Sequence, residues 1–161
     1  MVNQGAAMLG RKVDLEMLEG AVRNCYLRGE KMSAEDLLVA LAIFNSICRA
    51  VAPFFVRFDI LMTPTVALLP QKLGTYDSNN ASYSARDWTE KILGEFAPFT
   101  ALWNTTGQPA ISLPLGRSSG GLPIGVQFVG RFGAEDTLLK LAGQLEIAKP
   151  WPKIAPLAGI Q

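Results

Sequence analysis

Histidine is absent from the 161 residues, so acid–base chemistry in this chain falls to lysine, carboxylate and tyrosine side chains. The absence removes Ser–His–Asp and Cys–His nucleophilic systems, imidazole-ligated zinc and the usual general base at neutral pH. Cys25 and Cys48 are too few to complete a four-ligand Cys/His zinc site. Both cysteines fall on apolar faces of expected helices and read as buried free thiols. Lys12, Lys31, Lys72, Lys91, Lys140, Lys149 and Lys153 are scattered through polar or terminal settings, none placed as a desolvated base. The Glu16/Glu19 pair reads as a solvated helix face rather than a carboxylate dyad.

The elements that would position such groups follow from periodicity. Apolar residues Leu15, Leu18, Val22 and Cys25 recur at helical spacing behind Asp14, which predicts a helix over 14–28. Ser33 with Asp36 resembles a capping box opening a helix over 34–52, with Pro53 expected to end or kink it near Ala52. Residues 59–63 read as a short buried strand, 70–84 as a loop by composition, and Ser84 with Asp87 as the start of a helix over 85–94. A short helix over 98–106 precedes strands at 110–115 and 123–129, which a glycine-rich joint connects as an antiparallel pair. Val126 and Phe128 alternate with Gln127, which predicts a less buried face on that strand. A last helix spans 134–148, its apolar side carrying Leu138, Leu141 and Leu145. No internal repeat accompanies this α/β pattern, and three strands among so many helices make a thin sheet, which predicts a single partial domain over 1–161.

Fifteen basic against fourteen acidic residues leave a charge of +1, with no basic excess to hold nucleic acid or an anionic membrane. Residues 1–10 carry neither an apolar core nor a basic lead, and the apolar run 37–44 is far short of the ~20 residues of a membrane span. A cytoplasmic protein is expected. The mean hydropathy of +0.21 hints at apolar surface meant for a partner.

Three segments carry a family resemblance. Phe58-Asp59-Ile60-Leu61-Met62-Thr63-Pro64-Thr65 resembles the "D-hydrophobic-TPT" strand of the amidase signature family. Residues 99–114, from Phe99-Thr100 through Asn104 and Gly107 to Pro109-Ala110, Ser112 and Pro114, resemble its "FT-x-x-x-N-x-x-G-x-PA-x-S-x-P" segment. Residues 121–130, Gly121-Leu122-Pro123-Ile124-Gly125-Val126-Gln127 and onward, resemble its "GLP-hydrophobic-G-hydrophobic-Q" strand. Their order and spacing also fit, over about residues 30–152, nearest to hydrolases of small linear or cyclic amides.

The resemblance implies an α/β fold, a mixed sheet flanked by helices, and amide hydrolysis without metal or cofactor. In that family a nucleophilic Ser, a second Ser in a cis peptide and a Lys base lie in a Gly/Ser-rich segment and before it. Because the matching blocks lie downstream of those residues, the chain is expected to be an incomplete C-terminal portion of the fold. Its catalytic residues would come from an upstream amidase segment, and it would be inactive alone. Ser118-Ser119-Gly120-Gly121 looks locally like the nucleophile loop, but a position between two strands reads as a hairpin turn rather than the helix N-terminus an oxyanion hole needs. Thr63, Thr65, Phe99, Trp103 and Asn104 are the candidates for the wall of the substrate pocket. Pro64, Gly107 and Pro109 read as backbone-shaping residues. The expected partners are a small amide in the intact enzyme and either a second copy or an upstream segment. The competing expectation is a non-catalytic, self-associating remnant or interaction module.

Overall fold

The computed structural model describes residues 2–152, so Lys153 lies outside the described residues. Helix α1 (Val2–Met8) is tied to α2 (Gly20–Gly29) through Asn3, whose amide donates to Glu30 Oε1 at 2.9 Å and accepts from Tyr26 Oη at 2.8 Å. The helix expected from residue 14 is interrupted. Asp14 caps only a 3-10 turn (Leu15–Met17) by accepting from the Glu16 N–H, and α2 begins afresh at Gly20. The reason lies in the 70–84 loop. Its Ser78 carbonyl accepts from the Ala21 N–H at 2.8 Å, and Asn24 Nδ2 donates to the carbonyls of Ala81 and Tyr83. Those contacts fix the start of α2 more strongly than local propensity does.

Helix α3 (Ala34–Arg57) opens on a full capping box. Ser33 Oγ accepts from the Asp36 N–H while the Asp36 carboxylate accepts from the Ser33 N–H at 2.8 Å. The Ser33 backbone N–H, then its hydroxyl, holds the Asp36 carboxyl below its usual range. Ser84 and Asp87 repeat the device at α4 (Ala85–Thr89), where the Ser84 hydroxyl leads and its N–H follows in lowering the Asp87 carboxyl. Beyond α4 the chain continues as a π-helical segment, Glu90–Phe96.

The expected stop of α3 near Ala52 is not observed: the helix passes through Pro53 to Arg57. An interior proline costs about 3 kcal/mol, but here it is followed at once by Phe54 and Phe55, which bury against the sheet and α5. That burial offsets the lost hydrogen bond.

Strands β1 (Ile60–Pro64), β2 (Ala110–Arg117) and β3 (Pro123–Gly130) form one antiparallel sheet in the order β1-β3-β2. Leu61 pairs with Val129, Thr63 with Gln127, and Ser112 with the same Gln127 from the other side. Because side chains alternate across a strand, this register sorts every residue onto one of two faces. Phe128, Leu113, Ile111, Val126 and Ile60 pack on one face beneath Leu138 and Leu141 of α6 (Glu135–Ala148). Leu61 and Val129 share the other with Val51, Phe54 and Phe55 of α3 and with Leu102 and Trp103 of α5 (Ala101–Thr106). The result is an α/β fold with helices flanking both faces of the sheet.

Three sequence expectations are corrected by these layers. Gln127 is not on a less buried face: it is only 4% exposed, because α5 and the chain leading into it cover the strand there. Cys25 is exposed and Cys48 half-buried, both as free thiols rather than buried ones. The helix expected over 98–106 begins only at Ala101, since residues 97–100 form a turn in which Thr100 donates to the Ala97 carbonyl.

Candidate functional site

Polar residues on the α3/α5 face of the sheet converge beyond its apolar end. Leu61 and Val129 fill that end, and the next residues along the same face are Thr63 on β1, Gln127 on β3 and Ser112 on β2. Gln127 Nε2 donates to Thr63 Oγ1 at 3.0 Å and to the Phe99 carbonyl at 2.9 Å. One buried amide thus ties strand β1 to the turn that launches α5. Two residues further, Thr65 Oγ1 and Ser112 Oγ lie 2.6 Å apart. They belong to chains on opposite sides of β3 and meet across it at Gly125.

Gly125 makes that meeting possible. A Cβ there would stand 2.7 Å from Thr65 Oγ1 and 2.9 Å from Ser112 Oγ, well inside contact distance. The Thr65 N–H also donates to the Gly125 carbonyl at 3.0 Å, extending the β1–β3 ladder by one residue. At the other border Gly107 closes α5 in the left-handed region (φ 77°), its N–H donating to the Trp103 carbonyl at 2.8 Å. A side chain at Gly125 would push Thr65 and Ser112 apart, whereas one at Gly107 would crowd the Phe132 ring at 3.3 Å.

Of the five residues expected in a substrate wall, Thr63, Thr65 and Phe99 fall along one strip in two hydrogen-bonded groups, Thr63 and the Phe99 carbonyl on Gln127 and Thr65 on Ser112. Trp103 stands behind it in the core, 7% exposed, with its ring edge-on to Phe55 at 6.1 Å between centroids. Its indole N–H is buried and has no acceptor among the described residues. Asn104, the next residue along α5, is exposed. Ser112, Gly125 and Gln127 were not singled out from sequence. Their signal was a polar or glycine residue at alternate positions within otherwise apolar strands, which marks a face that does more than pack.

No titratable side chain hydrogen-bonds within the strip, so it offers neutral donors and acceptors rather than a proton-transfer pair. Ser118 and Ser119 are elsewhere. They sit in the β2–β3 turn, where Ser118 Oγ accepts from the Leu122 N–H at 3.0 Å. A cleft of about 590 Å³ at the foot of that hairpin is lined by Arg117, Leu122, Lys149 and Trp151. Its Lys149 ammonium is engaged by the Leu115 carbonyl at 2.6 Å. Among the described residues no group of three or more His, Cys, Asp or Glu side chains could hold a metal ion.

The amidase family profile matches residues 2–139. The chain belongs to the amidase signature family. Among its relatives, the putative amidase AmiC of Mycobacterium leprae (strain TN) is 42% identical over 106 residues, which are 66% of this chain and 22% of the relative. The 6-aminohexanoate-cyclic-dimer hydrolase of Pseudomonas sp. (strain NK87) is 44% identical over 96 residues, 58% of this chain and 20% of that protein. A solved structure of 6-aminohexanoate cyclic dimer hydrolase superposes with a TM-score of 0.87 at 29% identity, covering 97% of this chain and 33% of that one.

This extent corrects the expectation of a resemblance confined to residues 30–152. The family match begins at residue 2 and takes in α1, the 3-10 turn and α2, which sequence motifs had left uninformative. The readings of an incomplete C-terminal portion of the fold, of catalytic residues supplied by an upstream segment and of inactivity alone were tied to a match confined to the later blocks; the family match and the superposition instead run over nearly the whole of this chain. This family member spans about a fifth to a third of the length of the relatives named above.

The amide of Gln127 gives the strip a stability test. Replacing it with Leu keeps the volume but leaves the Phe99 carbonyl without its donor, and buried unsatisfied groups cost about 1–3 kcal/mol. Gln127→Leu should therefore unfold at lower urea than the parent with an unchanged slope. An unchanged midpoint would show that the amide is not what anchors the turn before α5.

Proposed function

We propose that this amidase family member acts in the hydrolysis of C–N bonds in small linear or cyclic amides, without metal or cofactor, in the cytoplasm. The observation that carries the reading is the Thr63–Gln127–Ser112–Thr65 strip, in a chain whose relatives include a hydrolase of a cyclic amide dimer. Neutral hydroxyl and amide groups beside apolar surface suit an uncharged amide, whose carbonyl and N–H need one acceptor or donor each while its methylenes want apolar contact. Thr63, Thr65 and Phe99 form the wall in this reading, with Trp103 backing it and Asn104 at its exposed border. Ser112 and Gln127 join them as residues that orient the wall.

The test is amine or ammonia release from a panel of small linear and cyclic amides, including the 6-aminohexanoate cyclic dimer. Turnover of at least one panel member is expected, with Thr65→Val raising KM by roughly tenfold through one lost hydrogen bond and its disrupted Ser112 partner. A folded protein that cleaves no panel member would overturn the proposal. Turnover unaffected by Thr65→Val would move the substrate to another wall.

A further inference from the structure

The cleft at the foot of the β2–β3 hairpin has no part in the strip around Gln127. Its walls come from three places in the chain: Leu115 and Arg117 on β2, Leu122 in the turn before β3, and Lys149 and Trp151 just past α6. None of Thr63, Thr65, Ser112, Gly125 or Gln127 lines it, and neither does any carboxylate among the described residues.

Two chemistries meet in this cleft. Leu115 and Trp151 are half-buried and pack on the Leu113–Phe128–Leu138 cluster, so part of the wall is the outer surface of the core. Leu122, 44% exposed, adds apolar surface still open to water. The second chemistry is positive charge. Strand β2 slips its register against β3 between Leu113 and Gly116, and within that irregularity the Leu115 carbonyl accepts from Lys149 Nζ at 2.6 Å. Arg117 Nη1 donates to the Gly121 carbonyl at 3.1 Å. Each cation is thus held at the cleft by one backbone bond. An ammonium carries three N–H donors and a guanidinium five, so both keep donors for a ligand.

We propose that the cleft binds a small carboxylate with an apolar body, a medium-chain or aromatic acid. The carboxylate meets Arg117 and Lys149 through charge-assisted hydrogen bonds, while the hydrocarbon lies against Trp151, Leu115 and Leu122. A volume of about 590 Å³ falls within the range of small-molecule sites. The two cations select the sign of the ligand: an alcohol leaves them unused and an amine is repelled. The apolar wall selects its body. Pro114, Pro123, Pro150 and Pro152 also line the cleft, and their fixed φ angles leave little backbone to be ordered on binding. The site stands apart from the proposed amide hydrolysis, since it shares no lining residue with the strip and its occupancy is read without turnover.

Trp88, Trp103 and Trp151 give three indole signals in a proton–nitrogen correlation spectrum, and the one lost in Trp151→Phe reports on the cleft. Hexanoate should move that signal saturably at roughly millimolar concentration and leave the other two in place. Hexanol and hexylamine should act at least roughly tenfold more weakly. Lys149→Gln and Arg117→Gln, each keeping an N–H for the same backbone carbonyl, should each raise the dissociation constant for hexanoate roughly tenfold with an unchanged circular dichroism spectrum. A Trp151 signal that hexanoate leaves unmoved overturns the proposal. So does one that hexanol moves at the same concentration, or a hexanoate affinity that neither variant changes.

Discussion

Phe128→Ala is expected to lower the free energy of unfolding by about 3–5 kcal/mol, the range for removing a buried aromatic ring from a packed core. Phe128 occupies the middle of the central strand, in register with Met62 on one side and Ile111 on the other. On its face it meets Leu113 and Leu138 in a cluster that joins the sheet to α6. A small domain is stable by only about 5–15 kcal/mol in all, so the loss would take a large share of what holds the molecule together. Urea melts followed by circular dichroism measure it. A midpoint within error of the parent would mean that α6 does not depend on β3 for its docking.

Trp103→Ala should cost as much, about 3–5 kcal/mol, from the opposite face. The indole closes the cluster of Phe55, Val129 and Leu61, and it is the residue through which α5 grips both α3 and the sheet. Trp103→Phe separates packing from hydrogen bonding. The indole N–H has no acceptor among the described residues, so its removal forfeits no bond and frees a donor buried without a partner. The Phe variant should therefore fall much closer to the parent than the Ala variant. Equal losses for Phe and Ala would show that the N–H is bonded after all. The two Ala variants should also report differently on the strip. Trp103→Ala removes the support beneath the turn whose Phe99 carbonyl binds Gln127, while Phe128 points away from it.

The caps, the strands and the family were legible in the residues themselves because each is written in local chemistry. Ser33 with Asp36 and Ser84 with Asp87 satisfy orphan N–H groups within three residues of chain, so no distant contact is needed to form them. Alternation along β3 exposed its period for the same reason. The boundaries that moved are those where a distant segment outweighs the local preference. α2 starts where loop residues Ser78, Ala81 and Tyr83 hold it, and α3 runs past Pro53 because Phe54 and Phe55 bury against elements far away in the chain.

The candidate site divides in the same way. The sequence by itself determined the types present: no histidine, two cysteines, and the threonines flanking Pro64 in segments of a recognisable family. Only the tertiary structure decided which polar residues meet. Thr65 and Ser112 come together because the order β1-β3-β2 sets their chains on either side of a glycine with no side chain to part them. Gln127 read as lying on a less buried face from its alternation, yet it is buried, because a period of two distinguishes the faces of a strand without saying what covers each one. Cover is a property of helices packed from elsewhere in the chain. α5 and the turn before it supply that cover here, and with it the carbonyl that makes a buried amide affordable.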